Sequence, residues 1–235
     1  MNRRRFNSLS AVLLAASCMG VHSIAQALSL SDLTNAQASQ GLKLALEKGA
    51  IAAVKSLGQP NGFLGNEKVR IPLPGYLEEA ARLLRSFGQG ARFDELIVAM
   101  NHAAESAVPL ARDMLVGAVK NMNVQDAKKI LIGGDTSVTQ FFAEKTQQTL
   151  QRKFLPVVTK VTSRVNLADK YNQIAGKAAG MGVLQGDQVS IEQYVTAKTL
   201  DGLYLMIGEE EKKIRQDPMG TGSAVLQKVF GALRS

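Results

Sequence analysis

Apolar residues recur every three or four positions along almost the whole chain. Leu42, Leu46, Ala50, Val54 and Leu57 follow at spacings of four, four, four and three, which places them on one face of an α-helix. Phe141, Phe142, Leu150, Phe154, Val158, Val161 and Val165 keep the same rhythm farther on. A strand, whose faces alternate with period two, does not fit it. Helices that are apolar on one side must bury that side against each other. The spacing therefore predicts an all-α, single-domain, irregular bundle of about seven to nine helices. No internal repeat, linker or low-complexity tract interrupts it.

Breakers and caps set the boundaries. Ser31 or Thr34 is suited to cap the first long helix, which Gly58 and Pro60 end. Residues 61–74 are the clear non-helical insertion. Val69, Ile71 and Leu73 alternate with Arg70, Pro72 and Pro74. Two prolines forbid a central strand, so residues 66–74 are expected as an edge strand or an extended, polyproline-like strap. Pro74 suits the first turn of a helix running to about Phe87. After Gly88 and Gly90 a long helix is expected from near Asp94, kinked or divided at Pro109. Asn123 with Asp126 should open a short helix that Gly133-Gly134 ends. Asp135 or Thr136 should cap the next one, which runs through Pro156. Residues 180–189 form a glycine-rich loop. Ser190 and Gln193 form a capping box for a helix reaching Gln216, and a tail helix spans about Ser223 to Leu233.

The first 27 residues read as an export signal. Arg3-Arg4-Arg5 is a basic n-region, Leu9 to Val21 a short apolar run, and Ala25-Gln26-Ala27 a small-x-small cleavage pattern. The apolar run is too short to span a bilayer, which takes roughly 20 residues. Cleavage after Ala27 would leave 28–235 as one helical domain in the periplasm, with no transmembrane helix. The ordinary secretory route is expected over the twin-arginine route, although Arg3-Arg4-Arg5-Phe6 also fits the latter. Ala15-Ala16-Ser17-Cys18 is an imperfect lipobox; if used, it makes Cys18 a lipidated N-terminus.

Losing the signal removes the chain's only cysteine, Cys18, and one of its two histidines, His22. What is left has no disulfide, cysteine nucleophile, thiolate zinc site or iron–sulfur ligand, and His102 is its sole histidine. Neither a metal site nor a bound cofactor is expected. The remaining 25 basic and 20 acidic side chains make a mild surplus that favours anionic surfaces. It falls short of a nucleic-acid footprint, and Trp is absent.

Candidate site residues come with plainer readings beside them. Asn101 and Glu105 share a helix face and could hold a ligand, or could hydrogen-bond a neighbouring helix or loop. His102 and Glu105 supply too few ligands for a metal. Asp135 and Thr136 precede a helix N-terminus suited to an anion, where Gly133 as helix stop and Asp135 or Thr136 as the next cap give the plainer reading. Glu209 with Lys213 and Glu211 with Arg215 stand in the favourable i, i+4 order, so the Glu209-Glu210-Glu211 run reads as a solvated, self-paired helix face. Asp201-Gly202 suggests a close helix crossing with Asp201 capping or buried. Tyr76, Tyr171, Tyr194, Tyr204 and the methionines line either a pocket or the core. No catalytic residue is assigned.

Several of these stretches together resemble one family: VRIPLP, MNHAAESAVP, DAKKIL, GGDTSVTQFF, VTAKTLDGLYLMIGEEEKKIRQDP and KVFG. The chain resembles bacterial exported proteins grouped as domain of unknown function 4197. The resemblance covers nearly all of residues 28–235 and implies a helical, single-domain envelope protein with no assigned reaction. The chain departs from the resemblance at His102, where the family more often has Arg after the Met-Asn pair, which weakens a catalytic reading of His102. The expected function is non-enzymatic binding of an envelope protein or a small ligand. The alternatives are a carboxylate hydrolase of an envelope glycan, using two of Glu105, Asp135, Asp201 and Glu210, and a lipid-anchored structural protein.

Overall fold

The computed structural model describes residues 29–86, 88, 90–180 and 190–233, with the backbone alone for 177–180. The cleavage residues Ala25 and Ala27, Cys18 and the glycine-rich segment 181–189 lie outside these. The described residues form eight α-helices and no strand. They are α1 (Asn35–Leu57), α2 (Gly75–Ser86), α3 (Ala91–Asn121), α4 (Ala127–Leu131), α5 (Ser137–Arg164), α6 (Leu167–Gly180), α7 (Ile191–Gln216) and α8 (Ala224–Gly231). The long helices make the bundle: α1 packs on α3 and α7, and α5 packs on α3 and α7. The shorter helices close its ends and edges.

Local chemistry accounts for most boundaries. Thr34 caps α1 by accepting from the Gln37 N–H, and the Gln37 side chain returns the bond to the Thr34 N–H. Ser190 and Ser223 cap α7 and α8 by accepting from the N–H three residues on, so only the forward half of the box expected for Ser190 and Gln193 is formed. Pro109 does not divide α3, nor Pro156 α5. Two starts differ from expectation: α3 opens at Ala91, before Asp94, and α4 opens after Asp126, four residues beyond the expected Asn123. α5 and α6 are separate because Asn166 adopts φ 51°. Asn enters that left-handed region more readily than most residues, and the apolar run up to Val165 carries no sign of the break.

The strap lies in the core without joining a sheet. Residues 61–65 and 67–69 are turns, and 70–74 run on without helix or strand. Phe63, Val69, Ile71 and Leu73 point inward and are buried. The ring of Phe63 presses on α7 where Gly202 has no side chain: a Cβ there would sit 2.8 Å from the ring. The expected close approach at Gly202 is real, but its partner is the strap. The close α1–α7 approach lies elsewhere, at Gly49, whose Cβ would lie 3.1 Å from the Ile207 side chain.

Candidate functional site

Asn101 and Glu105 sit one turn apart on α3 and both face the strap. The Asn101 carboxamide oxygen accepts from the Ile71 N–H at 2.9 Å, and its NH2 donates to the carbonyls of Ile71 and Ile97. Glu105 Oε1 accepts from the N–H groups of Phe63 and Leu64, both at 3.0 Å. Its Oε2 lies 2.8 Å from His102 Nδ1. Both residues are buried, whereas His102 is exposed. A strap without sheet partners leaves backbone donors to satisfy, and α3 supplies the acceptors. The pair thus has the plainer of its two readings: it fastens a neighbouring segment.

The anion at the N-terminus of α5 is the protein's own. Glu211 of α7 accepts from the N–H groups of Val138 and Thr139 at 3.1 and 2.7 Å, and from the Thr139 hydroxyl. Thr136 holds the cap position without a side-chain cap bond, and Asp135 is exposed, 3.7 Å from Lys212. Glu211 also pairs with Arg215, which reaches the Leu131 carbonyl and the Ser137 hydroxyl. The expected Glu211–Arg215 pair is present, but it is buried rather than solvated. An anion facing two free amides at a helix start is stabilised by the helix dipole as well as by the hydrogen bonds. The other expected pair is absent: Lys213 takes Glu210, and Glu209 takes Lys68. Asp201 is exposed and pairs with Lys198 at 3.5 Å, so it neither caps nor needs a buried partner.

The four carboxylates considered for hydrolysis are engaged by different groups: Glu105 by the strap, Asp135 by Lys212, Asp201 by Lys198 and Glu210 by Lys213. Asp201 and Glu210 are nine residues apart on one helix, about 13.5 Å along its axis. Paired glycosidase carboxyls stand no more than about 9.5 Å apart. No cluster of three His, Cys, Asp or Glu suited to a metal ion occurs among the described residues. No helix among them is long and apolar enough to cross a membrane.

The tyrosines belong to the packing. Tyr76 and Tyr171 share a hydrogen bond, Tyr194 donates to the strap carbonyls of Pro72 and Leu73, and Tyr204 meets Thr146. Burial pushes the Tyr204 phenol up to about 12, against the lowering effect of the Thr146 bond and with a smaller push from Asp201. Burial, then the charges of Glu78 and Asp201, raise Tyr194 to about 12. Tyr76 is raised further by burial and by its bond to Tyr171.

The feature with room for a ligand was not singled out in the sequence. A groove of about 1030 Å³ opens between α3, α4 and α5. Met114, Ala118, Met122, Ile130, Phe141 and Leu150 give it an apolar lining. A Cβ added at Gly117, midway along the α3 wall, would meet nothing within 4 Å. Lys129, Lys145 and Lys153 stand along the groove without an ion pair among the described residues; Lys145 lies 5.8 Å from the Phe141 ring centre. The groove is concave, with an apolar floor and a rim of polar and charged side chains that includes Asn121, Asn123 and Thr149, and small-molecule sites join the same two features. Lysines on a solvated helix give no sequence signal by themselves. The available clue is the crowding of bases on α5, which carries five bases and one acid.

Comparison with known proteins adds a family and no reaction. No curated protein and no solved structure matches the chain. The family described as "Protein of unknown function (DUF4197)" matches residues 32–231, beginning just beyond the expected cleavage point. The chain belongs to that family of proteins of unknown function.

Proposed function

We propose that this protein is an exported, non-enzymatic binding protein of the cell envelope, and that the groove between α3, α4 and α5 is its binding site. The groove carries the reading: about 1030 Å³ of space over an apolar floor, open at Gly117 and edged by lysines that form no ion pair among the described residues. By contrast, Asn101 and Glu105, which share a helix face suited to a ligand, are taken up by the strap. The basic n-region, short apolar run and Ala25-Gln26-Ala27 pattern support export to the periplasm with cleavage after Ala27.

Native and denaturing mass spectrometry of the protein from its host's envelope fraction tests both parts. A denatured mass starting at Leu28 supports export and cleavage; retention of residues 1–27 contradicts it, and a lipid on Cys18 replaces it with anchoring. Extra mass under native conditions that disappears in Gly117→Leu supports the groove. Extra mass that survives that substitution places the site elsewhere.

A further inference from the structure

The charge around the groove is one-sided. Residues 28–235 hold 25 bases and 20 acids. Helix α5 alone holds Lys145, Arg152, Lys153, Lys160 and Arg164 against Glu144, so it accounts for four of the five surplus charges. At about 100° per residue these five bases fall within about 120° of arc. The arc overlaps the groove wall, to which α5 contributes Lys145, Thr149 and Lys153 at i, i+4 and i+8. All five are exposed and form no ion pair among the described residues. The acids of the groove, Asp113 and Asp126, stand on the α3–α4 side. The charged residues of the α5 wall, Lys145 and Lys153, are therefore both cations, beside an apolar floor. The floor suits a hydrocarbon chain, and Met114 and Met122 adapt their shape to one. The wall suits an anion.

We infer that the groove binds a single-chain amphiphile with an anionic head, its chain on the apolar floor and its phosphate or carboxylate against Lys145 and Lys153. This rests on the groove being the binding site and names the chemistry of its occupant. Thr149, between the two lysines, offers a hydroxyl donor to the same head.

Calorimetric titration of the purified protein with dodecyl phosphate, dodecyl maltoside and inorganic phosphate, below micelle concentrations, tests it. Dodecyl phosphate is expected to bind at least tenfold more tightly than the maltoside, and inorganic phosphate too weakly to measure. Each lysine is worth on the order of fivefold against an anionic head. Lys145→Gln with Lys153→Gln should therefore weaken dodecyl phosphate by about 25-fold and leave the maltoside unchanged. Gly117→Leu should abolish both without lowering the thermal midpoint. Should that variant fold poorly, Asn121→Trp supplies a fluorophore at the rim of a Trp-free chain, and dodecyl phosphate must shift its emission. Equal affinity for phosphate and maltoside heads would overturn the anionic class and leave the groove standing. Binding that survives Gly117→Leu yet vanishes with the lysines would overturn the groove and make α5 a surface for anionic membranes. If no amphiphile binds while native mass spectrometry still shows a Gly117-dependent adduct, the inference fails and the binding function stands. If neither signal is seen, both fail.

Discussion

Replacing Asn101 with Ala removes the fastening of the strap at one point and leaves its apolar contacts in place. Three hydrogen bonds go, but they are unequal. The Ile97 carbonyl keeps its helical partner, the N–H four residues on. Ile71 loses the partner of both its N–H and its carbonyl, at a residue with no exposure. Each buried group left unpaired costs about 1–3 kcal/mol, so the pair costs ~2–6 kcal/mol. Partial escape of the strap to water pulls the value toward the lower end, and about 3 kcal/mol is expected. That is a large share of the roughly 5–15 kcal/mol that holds a domain folded. Urea unfolding should show a lower midpoint with unchanged slope. The Ile71 amide should lose its hydrogen-exchange protection before the amides of α3 do. His102→Ala is the control: the imidazole touches Glu105 from a side chain 45% exposed, and such partners are worth less than about 1 kcal/mol. A loss below about 0.5 kcal/mol for Asn101→Ala, with Ile71 still protected, would refute the fastening argument.

Other substitutions test the rest of the packing. Glu211→Gln takes the counter-charge from the largely buried Arg215, which keeps its bonds to Leu131 and Ser137, and should cost about 3 kcal/mol in urea unfolding, the lower end for a broken buried pair; Glu210→Gln, whose partner Lys213 is solvated, should cost less than about 0.5 kcal/mol. Similar losses for the two would contradict the buried role of Glu211. Gly202→Ala should destabilise by about 1–3 kcal/mol through overpacking against Phe63, reduced by up to ~1 kcal/mol of helix propensity; a raised melting temperature would mean that the ring can move aside. Alkaline unfolding follows the phenols of Tyr194 and Tyr204. Both are raised to about 12 in the folded chain, so the unfolded chain releases those protons first. Stability should be full below pH 10, the ordinary phenol value, and fall as pH climbs toward 12; a flat midpoint across that window would contradict the burial of those rings.

How much could be read beforehand follows from range. Helical spacing and capping chemistry are local, so the all-α class, the Thr34 and Ser190 caps, the start of the tail helix near Ser223, and the strap between Gly58 and Pro74 were all legible. The break at Asn166 was not, because it depends on one left-handed residue that no periodicity marks. Glu211 looked like part of a solvated face, since its i, i+4 partner Arg215 explained it fully. Its burial depends on α5 starting opposite α7, 73 residues away in sequence from Val138. Asn101 and Glu105 were visible as a pair, with ligand and packing readings both open; only the path of the strap assigns them backbone partners. The groove was the least legible feature. It is space between helices, and Gly117 reads as an ordinary helical glycine until its surroundings are known.

The most direct test of the groove is a methyl spectrum of the chain labelled with 13C-methionine, titrated with dodecyl phosphate. Met114 and Met122 line the groove, Met100 lies fully buried in the core, and Met219 is 69% exposed at the far end of the chain. Saturable shifts are expected at Met114 and Met122 while Met100 and Met219 stay in place. Shifts centred on Met219 or Met206, with Met114 and Met122 unmoved, would contradict binding in the groove.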